Sequence, residues 1–254
     1  RPRQWAYTAA RLTGTVLFPD SCLACGRQID RHGALCAACW PQIAFIEQPL
    51  CAVSGIPFAH DFGRHMVSAD VLANPPAYDR ARSACVHTGV ARQLVTRLKY
   101  NDRTDLAPWM ARFMARAGRE LIADADIIVP VPLHWFRLWT RRFNQSAELA
   151  RALSAQTGVP MDAGALVRRR RTRRQVGLTA TQRRTNVRGV FRVPEDKPIA
   201  VEGRNVLLLD DVLTTGATVE AAARTLRSAG ALQIDILTFS RIVPGRDEGG
   251  GPDR

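Results

Sequence analysis

Residues 205–226 read NVLLLDDVLTTGATVEAAARTL, and this stretch decides the fold. Val206, Leu207, Leu208 and Leu209 run straight into two adjacent acids, Asp210 and Asp211. An apolar run without alternation suits a strand buried on both faces. Val219, Ala222, Ala223, Leu226 and Ala229 then recur at helical spacing, with Gly230 as a stop. Glu220 and Arg224 stand four apart, the spacing of an ion pair on the outer face of that helix. Residues 232–239 read as the next strand. The unit is strand, loop, helix, strand, and it sets the loop 210–218 at the carboxyl end of the first strand.

Open α/β sheets bind ligands at that edge. Helix N-termini attract anions there, because their first N–H groups lack intrahelical partners. Thr214, Thr215, Gly216, Ala217 and Thr218 offer amides and hydroxyls to one phosphate, and Gly216 lets the backbone come close. The two acids repel that phosphate. They suit neutral hydroxyls, such as a ribose diol, or a metal ion. The implied ligand is a sugar phosphate. Two other readings compete. One is a buried strand ending in a solvated turn. The other is the acid-ending strand of an ATPase, which requires G-x-x-x-x-G-K-[ST]. The chain's two lysines, Lys99 and Lys197, do not follow glycines, so the ATPase reading falls away.

The stretch closely resembles the phosphoribosyl pyrophosphate (PRPP) signature of type I phosphoribosyltransferases. The resemblance implies that Asp210 and Asp211 are the catalytic acids that hold the ribose hydroxyls. It implies that residues 214–218 hold the 5′-phosphate.

The chain has 254 residues, room for one good-sized domain and a small module. With 46% hydrophobic and 23% charged residues, its composition is globular. No apolar run reaches the length of a membrane span. The segment "RLTGTVLF" is too short and too mixed for a signal-peptide core, so a cytoplasmic protein is expected. The chain opens on Arg1 rather than Met, so the native start is expected upstream. Net charge is +13, and 34 of the 36 basic residues are arginine. That balance points to polyanionic partners, phosphorylated substrates or nucleic acid, or else to a residue-usage habit of the source.

Four of the six cysteines read Cys22-x2-Cys25 and Cys36-x2-Cys39. Two knuckles at this spacing place four thiolates tetrahedrally about Zn²⁺. Four protein ligands leave no position for a catalytic water, so the expected zinc is structural. A degenerate echo follows, in which Cys51-x2-Ser54 and Ser68-x2-Val71 keep the spacing with three of four ligands replaced. It reads as a second ribbon that no longer binds metal. His60 and His65 lie inside it and read as loop histidines. Cys85, in "RSACVHTG", reads as a core residue.

Asn74, Pro75 and Pro76 mark a boundary. Beyond it, residues 81–87 predict a strand, 90–99 a helix, 106–122 a longer helix, 127–131 a short strand and 142–157 a helix. Phe143, Ala147, Ala150 and Leu153 share one side of that last helix. Strands alternating with helices predict a parallel α/β sheet. The order of zinc ribbons, "LKY", "PVPLH", "RRFNQSAELA", an arginine-rich segment and the PRPP signature resembles the ComF family. Those are competence-associated, phosphoribosyltransferase-like proteins linked to DNA uptake and natural transformation. The resemblance covers roughly residues 15–242. It predicts a type I phosphoribosyltransferase-like parallel sheet flanked by helices, behind a small zinc-ribbon module. The expected divisions are a helical lead at 1–20, the ribbon module at 21–74, the phosphoribosyltransferase-like domain at 75–242 and a disordered tail at 243–254.

In type I phosphoribosyltransferases the loop after the first core strand grips pyrophosphate. Here that loop carries His134, Arg137, Arg141 and Arg142, and His134 and Arg137 are the expected PRPP contacts, with Lys99 closing over the same phosphates. A solvated helix end is the other reading of Lys99. Mg²⁺ is expected to arrive with PRPP. Residues 163–194 hold ten arginines and no acid, and Arg168, Arg169, Arg170, Arg171, Arg173 and Arg174 stand almost shoulder to shoulder. Like charges repel, so a loop is expected. It reads as a hood over pyrophosphate, as an arm on single-stranded DNA phosphates, or as a solvated loop. The expected function is a PRPP-binding protein of DNA uptake. The alternatives are a phosphoribosyltransferase of nucleotide metabolism with an unknown acceptor, and a zinc-ribbon adaptor with a vestigial PRPP site.

Overall fold

Each apolar run becomes a strand with two covered faces. The computed structural model describes residues 20–61, 63, 65–100, 103–133, 143–169, 189–195 and 200–245. In chain order the elements are a 3-10 turn (Trp40–Gln42), α1 (Ala69–Ala73), β1 (Arg80–Val86), α2 (Gly89–Tyr100), α3 (Leu106–Ala117), α4 (Arg119–Asp124), β2 (Ile127–Pro130), α5 (Gln145–Thr157), β3 (Val167–Arg168), β4 (Phe191–Arg192), β5 (Asn205–Leu213), α6 (Ala217–Ser228) and β6 (Gln233–Arg241). Four strands form one sheet in the order β1-β6-β5-β2, every pair parallel. Along β5, Leu207 and Leu209 pack with Leu94, Leu98, Met110, Leu149 and Leu153. Val206 and Leu208 pack on the opposite side with Val219, Ala222, Ala223 and Leu226. So α2, α3 and α5 cover one face and α6 the other, as two-sided apolar strands require. The fold is a type I phosphoribosyltransferase-like parallel sheet.

Three expectations change in detail. The strand does not stop at Leu209: β5 continues through both acids to Leu213, paired with β6 up to Arg241. The helix expected over 106–122 is broken at Gly118 (φ −105°, ψ 25°) into α3 and α4. A Cβ on Gly118 would lie 2.7 Å from Cδ1 of Leu237, so glycine lets the helix junction press on the sheet. The helix expected from 142 begins at Gln145, capped by Asn144, whose side chain accepts from the Ser146 amide. The same Asn144 donates to Val131 O (3.1 Å), which fastens the helix start to the end of β2.

The cysteine-rich segment is part of this core. Leu23, Ala24 and Ile43 pack in one cluster with Leu94 and Phe239. Residues 44–46 run antiparallel along the edge strand β1, with Ile46 N–H on Ala84 O (3.0 Å) and Val86 N–H on Ala44 O (2.8 Å). The lead at 1–19 and the tail at 246–254 lie outside the described residues.

Candidate sugar phosphate site and metal centre

The carboxyl end of β5 collects the acids. Ser146, in the first turn of α5, donates its hydroxyl to Asp210 Oδ1 (2.8 Å). The Asp211 amide donates to the same oxygen (2.9 Å). Lys99, near the end of α2, sets its Nζ 2.9 Å from Asp211 Oδ2. Burial, and then the neighbouring Asp211 charge, push the Asp210 carboxyl up to about 7, against the pull of Ser146 and Lys99. Asp211 is therefore paired with a cation, while burial beside that second acid favours the proton on Asp210. Lys99 lies on the acid pair in this structure.

Past β5 the chain turns through Thr214 and Thr215, both exposed, to Gly216 at φ 77°. That left-handed conformation strains any residue with a Cβ. A Cβ there would meet nothing within 4 Å, so the space before the backbone is open. The Glu220 amide donates to Gly216 O (2.8 Å) and starts the α6 ladder. The amides of Ala217 and Val219 lie in the same first turn, ahead of the first intrahelical carbonyl. Residues 214–218 thus present the amide-rich helix start that a phosphate needs. The loop and the acid pair are one continuous segment.

At the other end of the chain, the sulfurs of Cys22, Cys25, Cys36 and Cys39 all lie within 4.8 Å of one another. Cys25 and Cys36 Sγ are 3.7 Å apart. Zn–S bonds of about 2.3 Å in a tetrahedron demand sulfurs about 3.8 Å apart, so the cluster fits zinc. Burial opposes ionisation of Cys22, but amide donors of Cys25, Cys36 and Ala24 prevail and bring its thiol down to about 6. Burial and the crowding of the other sulfurs push Cys39 up to about 12. All four thiols become thiolate ligands once a cation sits among them.

Two family models match the chain: a double zinc ribbon domain over residues 14–72 and a phosphoribosyl transferase domain over residues 144–247. The DNA utilization protein YhgH of Escherichia coli O157:H7 is 31% identical over 232 residues, covering 89% of this chain and 98% of that protein. Competence protein F of Haemophilus influenzae is 29% identical over 235 residues, covering 88% and 98%. Competence protein ComFC of Bacillus subtilis is 26% identical over 162 residues, 63% of each chain. The chain belongs to the ComF family.

This ComF chain departs from a double ribbon in one respect. Its second ribbon keeps the backbone of the first and loses the ligands. Cys51 N–H binds Ile56 O (2.9 Å) as Cys22 N–H binds Arg27 O (2.8 Å), and Gly55 N–H binds Cys51 O (2.9 Å) as Gly26 N–H binds Cys22 O (3.0 Å). Ser68 N–H points to Cys51 Sγ at 3.3 Å, as Cys36 N–H points to Cys22 Sγ at 3.3 Å. Ser54, Ser68 and Val71 stand where Cys25, Cys36 and Cys39 stand in the first copy. Among the described residues, the first copy is the one group with three or more metal-capable side chains close together. The buried guanidinium of Arg241, the last residue of β6, donates to Ser54 O. Burial raises the Cys51 thiol, but donors from Ser54 and Ser68 outweigh it and hold it at about 7. Cys85 is fully buried in β1, as its apolar setting requires, and burial drives its thiol well up.

The structure brings together Asp210, Asp211, Lys99 and the 214–218 loop. His134, Arg137, Arg141 and Arg142 lie outside the described residues, as do Arg170, Arg171, Arg173 and Arg174. Arg168 and Arg169 are described: Arg168 ends β3, which pairs antiparallel with β4, and Arg169 follows it. Arg168 stacks over the Phe191 ring at 5.6 Å, and Arg169 N–H binds Val190 O (2.7 Å). Sequence reasoning missed Ser146. Its signal was present: Ser146, Ala150 and Leu153 follow i, i+4, i+7, so a hydroxyl stands on the apolar stripe of α5.

Proposed function

We propose that this protein binds PRPP, with its Mg²⁺ carried on the pyrophosphate, and acts as a phosphoribosyltransferase-like component of DNA uptake. The observation that carries the reading is the continuity of two unlike features on one segment. The acids accept hydroxyl protons, and the helix start beside them donates amides to a phosphate. A ribose 5-phosphate offers both groups in one molecule. Asp210 and Asp211 orient the diol, residues 214–218 hold the 5′-phosphate, and Lys99 supplies the cation that reaches toward pyrophosphate as the diol replaces it on Asp211. Mg²⁺, when bound, spreads the charge of the leaving pyrophosphate. The DNA role rests on the names of the relatives, DNA utilization protein and competence protein. Single-stranded DNA is its proposed macromolecular partner, through the arginines of 163–194, and the DNA-uptake machinery its setting.

Calorimetry with PRPP and Mg²⁺ tests this directly. The wild type is expected to bind one PRPP. Asp211→Asn is expected to weaken it about 10-fold or more, the loss that a charge-assisted hydrogen bond sets. Gly216→Val is expected to abolish it, because a branched side chain fills the open space before the loop. Unchanged affinity in both variants overturns the site.

A further inference from the structure

One helix joins the metal centre to the acid pair. α2 packs against α3 and against the 3-10 turn that follows Cys39. At the start of α2, a Cβ on Gly89 would stand 3.6 Å from the carbonyl oxygen of Gln42, the last residue of that turn. In its last turn, Arg97 Nη1 donates to Leu23 O (3.3 Å), a carbonyl that lies between the cluster cysteines Cys22 and Cys25. The Leu23 amide donates to Ala34 O (3.0 Å), two residues before Cys36, so Leu23 ties one cysteine knuckle to the other. Leu23, Leu94 and Leu98 share a core cluster with Cys22, Cys36 and Cys39. Both ends of α2 therefore rest on the ribbon.

Lys99 follows Arg97 by two residues, about 200° around the helix. Its Nζ meets Asp211 Oδ2 at 2.9 Å. One side of the last turn is thus held by the ribbon, and the other side delivers the cation of the site. A long side chain places its amine only as well as the helix places its Cα. We infer that α2 couples the metal centre to the phosphate site, with Arg97 as a positioning residue that straps the helix end to the metal-bound ribbon and so sets Lys99 against the acid pair. The inference rests on the sugar-phosphate reading above and names how that site is regulated.

The element with two states is the ribbon, folded with its metal and unfolded without it. A ribbon without metal frees the end of α2, and the cation leaves its place at the acids. PRPP needs that cation in place, so it binds the metal-loaded chain better. Linkage is reciprocal: PRPP must then tighten the metal by the same factor.

Two measurements on the zinc-loaded full chain test this. Hydrogen exchange, read without PRPP, follows the amides of residues 97–100. Arg97→Ala is expected to keep its zinc and to speed that exchange about 5-fold, the loss of one hydrogen bond. Arg97→Lys, which keeps a donor, is expected to recover most of the protection. Zinc transfer to a zinc-selective chelator, with and without PRPP and Mg²⁺, reads the coupling. PRPP is expected to tighten zinc about 5-fold or more in the wild type. Arg97→Ala should lose most of that effect, and Lys99→Ala all of it. Unchanged exchange in Arg97→Ala overturns the strap. A wild type that binds PRPP yet holds zinc equally with and without it overturns the coupling. A wild type that binds no PRPP overturns the sugar-phosphate reading itself, while hydrogen exchange still decides the role of Arg97.

Discussion

Asp210 ionises near neutrality because the fold buries it beside a second acid, and that has a cost the folded chain carries. An unfolded aspartate titrates near 3.9. Between that pH and about 7 the native state holds the extra proton, so stability falls as pH rises through this window and stays low above it. Asp210→Asn is expected to relieve the strain, keeping an acceptor for Ser146 without the charge. At pH 8 its Tm should exceed the wild type's by about 2–4 °C, the shift that about 1 kcal/mol gives a chain of this size. At pH 4 the two should melt together, which a thermal melt at both pH values checks. The acids themselves were legible in the sequence, since two carboxylates after a buried run have few other uses. Their inequality was not, because it depends on Ser146 and Lys99, which reach them from helices 64 and 112 residues away in sequence.

At the scale of elements, the parallel sheet and its two helical layers followed from the apolar runs and their spacing. What periodicity did not show was where helices break and how the ribbons attach. At the break between α3 and α4, Gly118 lies where a Cβ would press on Leu237, a contact that crosses the fold. The ribbon pair shows the opposite relation between sequence and structure: the second copy lost its ligands and kept its hydrogen bonds. The second copy is tied down by Arg241 on Ser54 O and by Ala81 N–H on Val53 O (2.7 Å), bonds that are expected to hold it without a metal. We therefore predict one zinc per chain by elemental analysis. Cys51→Ser should leave that count at one, and Cys22→Ser should bring it to zero. Two zincs in the wild type would break the argument.

For the whole molecule, the net charge of +13 sets how it meets polyanions. Arg168 belongs to the β3–β4 pair through Phe191, so the arginines to test are Arg170, Arg171, Arg173 and Arg174. Each phosphate contact on a single strand adds a slope of about −0.7 in log K against log salt. Replacing these four by serine is expected to flatten the slope for single-stranded DNA by about 3 units, measured by titration across salt concentrations. Loss of PRPP affinity with an unchanged DNA slope would make the segment a hood instead.

The pairing of residues 44–46 with β1 reaches further than packing. The sheet's outer strand is shielded by a segment that follows directly on the last zinc ligand, Cys39. A chain that fails to acquire its ion therefore exposes a row of unpaired amides and carbonyls, which recruits other strands. The ribbon cysteines also precede every strand of the sheet along the chain. Metal supply is therefore expected to set how far the chain self-associates. Depleting zinc is expected to cost this protein by aggregation, which light scattering after chelation checks.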